Sequence, residues 1–174
     1  MSQVTVSELG DDPSVVRHAF AQFPSGVAVL AVDIDGRKHA LVASSFMVGV
    51  SLEPCLAAVA VQKSSETWPL IKDSVSLGVS ILGEGQSGLT RKLASKDRAA
   101  RFEQVAIEVG DGGAVFIEDA ALWLDCVPHE VSEAGDHWMV LLEVKKLGVG
   151  GREPLVWHGA KFRELVDARS IDVE

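Results

Sequence analysis

The chain has 174 residues, which is the size of one domain, since domains usually contain roughly 100–200 residues. Its hydrophobic fraction of 47% and charged fraction of 24% are typical of a globular protein with a substantial core, and they exclude a disordered chain or a coiled coil. The 16 Lys and Arg against 25 Asp and Glu leave a net charge of −9, which argues against nucleic-acid binding. An anionic ligand must therefore be bound by a local group of hydrogen-bond donors or positive charges.

The sequence indicates neither a membrane span nor a metal site. The longest stretch without a charged residue has 15 residues, between Arg17 and Asp33, whereas a membrane helix needs roughly 18 to 20 apolar residues. The polar, acidic segment 1–12 lacks the pattern of a secretory signal, which predicts a cytoplasmic protein. Cys55 and Cys126 are 71 residues apart without metal-ligand spacing, so we expect two core thiols and no metal.

The first predicted elements are a capped helix and a β-hairpin. Asp12 precedes a helix over 13–23 whose apolar face we expect to pack against another surface. The residues on that face are Val16, Ala19, Phe20 and Phe23. The hairpin joins a strand over 27–33 to a strand over 38–50 through Asp35-Gly36, a dipeptide that favours tight turns.

The remaining elements are mostly short strands. Apolar patterns and turn residues predict strands over 55–61, 75–82, 122–131, 138–147 and within 154–165, with helices over 67–73 and 86–95. No βαβ unit repeats, so the sequence predicts a mainly β fold, an antiparallel barrel with a few short helices. We expect a flexible arm over 1–12, the domain over 13–166 and a tail over 167–174.

The common catalytic motifs are absent. The segment 110–113 contains glycines but lacks the third glycine and the helix of a dinucleotide fingerprint. No P-loop, nucleophile elbow or zinc-protease motif occurs either. The usual NTPases, hydrolases and metalloproteases are therefore excluded.

Two serine pairs are candidate binding groups. The segment 63–67 leaves a buried strand and enters a helix with three hydroxyls and a lysine, which suits a phosphate. The alternative, that Ser64 or Ser65 only caps the helix, is favoured by local sequence alone. Ser44-Ser45 interrupts an apolar strand, so one hydroxyl faces inward, either towards a backbone group or towards a flat heteroaromatic ligand.

A histidine and two arginines are further candidates. His137 follows Gly135-Asp136 at a turn, where it can meet a substrate at the mouth of the barrel, with Asp136 influencing its tautomer. Arg98 and Arg101 have a helical spacing of three, so they share a face and could close over a phosphate. A solvated arginine face is the more ordinary explanation.

These segments, in this order, resemble the flavin reductase family with the FMN-binding split-barrel fold. The resemblance covers roughly residues 14 to 165 and rests on eight segments: 24–27, 43–46, 51–54, 63–67, 78–82, 97–102, 135–137 and 154–159. It implies a split antiparallel β-barrel of the Greek-key type. Departures from the family pattern include Cys55 in place of a second proline, Ser80 in place of a common asparagine, and the absence of tyrosine.

The resemblance also implies the ligand site. Flavin, either FMN or FAD, is expected to bind at Ala43, Ser44, Ser45, Phe46, Ser51, Leu52, Pro54, Lys63, Ser64, Ser65, Thr67, Arg98, Arg101 and Phe102. The phosphate is expected at 63–67, and His137 is expected to contact the nicotinamide of NADH or NADPH.

The implied function is an NAD(P)H-dependent flavin reductase that supplies reduced flavin to a partner monooxygenase. Such split barrels pair, so a homodimer is expected, whereas diffusing reduced flavin needs no tight docking to the oxygenase. The alternative is a non-catalytic flavin- or haem-binding carrier or electron-transfer protein. A ligand-free interaction domain is a third possibility.

Overall fold

The computed structural model describes residues 4–6 and 8–167. Its helices are α1 (Pro13–Phe20), α2 (Trp68–Ile71) and α3 (Ser87–Leu93), with a single 3-10 turn at Asp111–Gly113. Its strands are β1 (Ser25–Gly26), β2 (Ala28–Ile34), β3 (Arg37–Ala43), β4 (Met47–Leu52), β5 (Cys55–Gln62), β6 (Leu77–Ile81), β7 (Ile107–Val109), β8 (Val115–Ile117), β9 (Leu122–Ala134), β10 (His137–Val149), β11 (Val156–His158) and β12 (Lys161–Arg163). The predicted mainly β fold is confirmed.

Seven strands form the main antiparallel sheet in the order β3-β2-β6-β9-β10-β5-β4. The sheet curls without closing, which is the split form of a barrel. One core is formed by Leu30, Val59 and neighbouring strand residues together with Trp68 of α2, and a second core is formed with α3, β8 and Leu155. Small sheets β1-β11-β12 and β7-β8 flank the main one.

The β2–β3 hairpin is confirmed. Asp35 has φ 52° and Gly36 has φ 80°, and two successive residues with positive φ produce the tight turn that matches the twist of paired strands. The register places Ile34 opposite Arg37 and Leu30 opposite Leu41. The local sequence was therefore sufficient for this element.

The single strand predicted over 38–50 is wrong. The chain forms β3 to Ala43, leaves the sheet at Ser44, and forms β4 from Met47 at the opposite edge of the same sheet. The serine pair interrupts the strand completely instead of turning one hydroxyl inward within it. This crossover places Ser44 and Ser45 in the cleft described below.

The unpredicted hairpin β7–β8 packs across β6. A Cβ on Gly78 would lie 2.2 Å from the Val115 carbonyl oxygen, so only glycine permits the approach. The Ser80 hydroxyl, fully buried, accepts a hydrogen bond from the Ile117 N–H at 2.9 Å. Both contacts fix β8 over the second core.

Helix α1 begins as predicted, with the Asp12 carboxylate accepting from the Ser14 N–H at 2.8 Å. None of its residues is buried, and Phe20 and Phe23 are 74% and 79% exposed. The surface against which this helix was expected to pack is therefore absent from the described part of a single chain.

No helix in the described ranges is long and apolar enough to cross a membrane. The proposed arm over 1–12 is described at 4–6 and 8–12, and the proposed tail over 167–174 lies outside the described residues except for Asp167.

Candidate active site

A cleft of about 440 Å³ lies between the end of β3, at one edge of the main sheet, and the end of β5. The end of β3, the crossover after it, the end of β5, the segment that follows β5 and the first residue of β10 form its walls. The lining residues are Leu41, Val42, Ala43, Ser44, Ser45, Ala60, Val61, Gln62, Ser64, Ser65 and His137. Six predicted site residues from three separate segments therefore meet in one cleft.

Ser45 links two walls of the cleft. Its hydroxyl donates to the Ala60 carbonyl oxygen at 2.7 Å, which joins the crossover to β5. Ser44 is exposed and its hydroxyl has no hydrogen bond within the described residues. The two serines therefore differ: Ser45 holds the cleft together, and Ser44 remains available to a ligand.

Ser64 and Ser65 differ in the same way. The Ser65 hydroxyl accepts from the Trp68 N–H at 3.1 Å and so caps α2, whereas the Ser64 hydroxyl makes only a long contact of 3.4 Å with Gln62. The Ser65 hydroxyl therefore binds a free N–H at the start of α2, close to what the capping alternative expected, although the N-cap residue itself is Thr67 and its side chain makes no cap hydrogen bond. Because α2 has a single turn, the dipole of a long helix contributes little here, and individual hydroxyl and N–H groups must bind an anion.

Lys63 sits beside this segment with its charge partly neutralised. Its Nζ lies 3.0 Å from a Glu133 carboxylate oxygen and 5.0 Å from the centre of the Trp138 ring. Its N–H donates to the Asp136 carbonyl oxygen at 2.9 Å, which fixes the start of the segment to the β9–β10 turn. Lys63 therefore borders the cleft without lining it.

His137 is the first residue of β10 and pairs with Gln62 of β5. Its Nδ1 lies 2.7 Å from an Asp136 carboxylate oxygen. The hydrogen bond lowers the pKa of the Asp136 carboxyl, and the charge of His137 adds to that effect. An acceptor at this distance favours the proton on Nδ1, which leaves Nε2 as the nitrogen for a ligand.

Arg98 and Arg101 do not share a helical face, so that expectation is wrong. The segment 97–104 consists of bends and turns instead of a helix. Arg98 is exposed and forms an ion pair with Glu66, while Arg101 is 8% exposed and is surrounded by protein. Burial and the neighbouring Arg98 both lower the pKa of Arg101.

Arg101 is a structural tie between elements of the cleft. Its Nε donates to the Ser95 carbonyl oxygen at 2.7 Å, and its Nη1 donates to the Ala40 carbonyl oxygen at 2.7 Å and to the Thr67 hydroxyl at 3.3 Å. Phe102, next in the chain, packs against the second core. Neither residue lines the cleft.

The predicted flavin residues of the β4–β5 turn lie elsewhere. Ser51, Leu52 and Pro54 are at the opposite end of β5 from Gln62, about 20 Å away along an eight-residue strand. The Ser51 hydroxyl accepts from the Glu53 N–H at 3.2 Å, and Leu52 is 87% exposed. The structure therefore does not bring this turn into the cleft of its own chain.

Two predicted groups lie in or near the core. Phe46 packs against the first core cluster from the crossover. Cys126 is buried and its pKa is raised to about 12, mainly by burial, while Cys55 is half-buried; both thiols are free. The cleft itself contains neither thiol.

Sequence reasoning missed the apolar part of the cleft. Leu41 of β3 and Ala60 and Val61 of β5 line it, yet in the sequence they are ordinary members of apolar strands. His39 lies two residues before Leu41 on the same strand. Burial and the charges of Arg98, Arg101 and Arg37 lower the pKa of His39, which places a cationic neighbourhood beside the cleft.

Comparison with known proteins identifies the family. The family model "Flavin reductase like domain" matches residues 20–166. A flavin reductase of Pseudomonas putida is 38% identical over 139 residues, 79% of this chain and 81% of that protein. The reductase component of 4-hydroxyphenylacetate 3-monooxygenase from Thermus thermophilus is 33% identical over 152 residues, 86% of this chain and 95% of that protein.

A solved structure agrees over nearly the whole chain. The NADH:FAD oxidoreductase SgcE6 of Streptomyces globisporus C-1027 superposes with a TM-score of 0.84 at 29% identity, covering 94% of this chain and 100% of that chain. Family model, sequence relatives and fold all agree, and the chain belongs to the flavin reductase-like family.

Proposed function

We propose that the seam cleft, defined by its lining residues above, is where this chain reduces FMN or FAD with NADH or NADPH. The chain is an NAD(P)H-dependent flavin oxidoreductase, as its relatives are. The observation that carries the proposal for the site is the meeting of Ser44, Ser64 and His137 in one cleft.

The cleft fits a flavin in size and chemistry. Its volume of about 440 Å³ lies within the roughly 300–1,000 Å³ of small-molecule sites. The apolar side chains of Leu41, Ala60 and Val61 suit a flat ring. The hydroxyls of Ser44 and Ser64 line the same cleft and can donate to a phosphate, and the cations near His39 favour an anion in an acidic protein.

The protein's part in the reaction is positioning. The nicotinamide supplies a hydride and the flavin ring accepts it, so no catalytic dyad is required of the protein. We assign His137 the contact with the nicotinamide through Nε2, because Asp136 holds the ring by Nδ1. The apolar lining residues Leu41, Ala60 and Val61 help to exclude water from between the nicotinamide and the flavin ring.

We also propose that the working unit is a homodimer. Strand β4 is an edge strand whose Met47, Val48 and Leu52 are 55%, 57% and 87% exposed, and an unpaired apolar edge is a site for association. The exposed face of α1 supplies further apolar area. A second copy would also explain why the family's flavin turn, 51–54, lies outside the cleft of its own chain.

Reduced flavin passes to an oxygenase in the relatives that are named as reductase components. We propose the same role here, together with a cytoplasmic location. The competing function is a flavin carrier that does not turn over.

One experiment separates reductase from carrier. The purified chain is scanned for flavin absorbance, and NADH or NADPH oxidation is then followed with excess free FMN and, in turn, FAD. A reductase consumes many equivalents of NAD(P)H. A bound flavin spectrum without turnover would establish the carrier, and a colourless protein that no flavin stabilises against heat would exclude both.

A further inference from the structure

A second, larger cleft lies at the other end of the β9–β10 hairpin. It has a volume of about 770 Å³ and is bounded by the β7–β8 hairpin, the start of β9 and the end of β10. From His137 to Gly148 the chain follows β10 for about 35 Å, at roughly 3.3 Å per residue. This distal cleft is therefore separate from the seam cleft.

Two aromatic side chains, Trp123 and Phe116, line this cleft, and both are held in place. The Trp123 indole Nε1 donates to the Ile117 carbonyl oxygen at 2.7 Å. The ring lies over Gly148, where a Cβ would be only 3.5 Å from the indole. Phe116 lies over Gly110 in the same manner, with a Cβ there 3.1 Å from the ring. Both aromatic side chains are thus held against the backbone before any ligand binds.

The charged side chains that line the cleft favour a positively charged ligand. Five carboxylates and one ammonium group line the cleft. Lys146 lies 3.8 Å from Asp111 and 3.7 Å from Asp125, and Arg152 pairs with Asp119 at 3.1 Å. The side chains of Glu108 and Glu118 have no ion pair within the described residues. The excess negative charge excludes anions, including flavin phosphates and NAD(P)H.

We propose that the distal cleft binds an arylalkyl ammonium ion, with its aromatic ring on Trp123 and Phe116 and its cationic head beside Glu108 and Glu118. Aromatic faces attract both rings and ammonium groups, and nearby carboxylates add to the attraction. The volume is in the range of small-molecule sites. The site does not depend on the flavin assignment of the seam cleft.

Nuclear magnetic resonance tests the proposal on the full chain. Phenethyltrimethylammonium is titrated while the indole N–H signal of Trp123, assigned with the Trp123→Phe variant, is followed. Hydrocinnamyl alcohol and hydrocinnamate serve as neutral and anionic probes of similar shape. We expect a saturable shift of the Trp123 signal with the cation, at least about tenfold weaker binding of the alcohol, and no binding of the anion.

The double variant Glu108→Gln/Glu118→Gln is expected to weaken binding of the cation about tenfold while NADH oxidation with flavin stays unchanged. Glu130→Gln, an exposed carboxylate on the same hairpin, is the matched control and is expected to bind as the parent does. The proposal is overturned if the Trp123 signal does not move at millimolar cation, if the alcohol binds equally well, or if the double variant keeps full affinity. A double variant with altered self-association would overturn it too, because a second copy would then cover the cleft.

Discussion

Arg101 and Thr67 are joined by a hydrogen bond of 3.3 Å from the guanidinium Nη1 to the threonine hydroxyl. The same Nη1 donates to the Ala40 carbonyl oxygen at 2.7 Å. Ala40 precedes the β3 wall of the seam cleft and Thr67 follows the 63–66 segment, so one buried side chain ties two walls together. Arg101 therefore positions the site without lining it.

Arg101→Met is expected to lower the free energy of unfolding by about 3 kcal/mol, because the Ala40 and Ser95 carbonyl oxygens lose their buried donors. Urea unfolding measures this, and the flavin dissociation constant should rise in parallel. Arg98→Met is the control: its pair with Glu66 is exposed, so it should cost less than about 1 kcal/mol. Equal unfolding midpoints for the two variants would contradict the role assigned to Arg101.

The serines of the 63–67 segment should separate binding from stability. Ser65→Ala removes the cap on Trp68 and is expected to cost about 1 kcal/mol of stability. Ser64→Ala removes a hydroxyl without a strong internal partner, so the melting temperature should stay constant. Its flavin dissociation constant is expected to rise about tenfold or more, as for loss of one hydrogen bond to a charged group. Calorimetry measures the melting temperatures, and fluorescence titration measures the flavin dissociation constants. An unchanged flavin affinity in Ser64→Ala would show that the phosphate does not bind at this segment.

His137→Ala is expected to lower kcat/KM for NAD(P)H by about tenfold or more, because the nicotinamide loses a positioned hydrogen-bond partner. The matched control is His129→Ala on the same hairpin, whose Nδ1 lies 3.9 Å from Glu143, away from the cleft. Steady-state oxidation of NADH with saturating flavin measures the effect. Parent-like oxidation by His137→Ala would refute the contact with the nicotinamide.

Stability should depend on pH through His39. The pKa of His39 is lowered in the folded chain, first by burial and then by the nearby arginines. The unfolded chain therefore takes up a proton at this side chain near pH ~6.5, where the folded chain does not. The unfolded state then holds more protons, so stability falls as pH drops below about 6.5 and is fully present above it. His39→Gln should flatten this part of the curve, measured by melting temperature against pH. His18→Gln on exposed α1 is the control, and a curve equally steep in His39→Gln would exclude His39 as the source.

Association should depend on β4. Val48→Asp places a charge on the exposed edge strand and is expected to convert a dimer to a monomer in light scattering, because burying an unpaired carboxylate is costly. Val75→Asp, 77% exposed and outside β4, should leave the mass unchanged. A parent chain that is monomeric at every concentration would exclude the dimer itself.

The sequence predicted those elements whose cause is local. The Asp35-Gly36 turn, the cap at Asp12 and the apolar run of β5 each depend on neighbouring residues, and each is confirmed. The crossover after Ala43 was missed because alternation in a strand does not indicate which edge of a sheet the next strand joins. The β7–β8 hairpin was missed because its strands have only three residues each, too few to show an alternating pattern.

The sequence predicted the serine and histidine side chains that line the site. It did not indicate which arginines bind a ligand and which hold the fold together. The pair Arg98 and Arg101 has the same residue type three positions apart, yet one is exposed and the other buried. Burial depends on which distant carbonyl groups, here those of Ala40 and Ser95, require a donor. Such requirements arise only in the folded chain.

The crossover at Ser44–Phe46 ties the two outermost strands of the sheet to one binding event. Outer strands normally exchange their amide protons first, through small local openings. A ligand in the seam cleft contacts β3 directly and reaches β4 through these three residues and through the neighbouring strand β5, so its binding should slow exchange at both edges of the sheet together. Protection would then extend to Met47–Leu52, a strand that does not line the cleft.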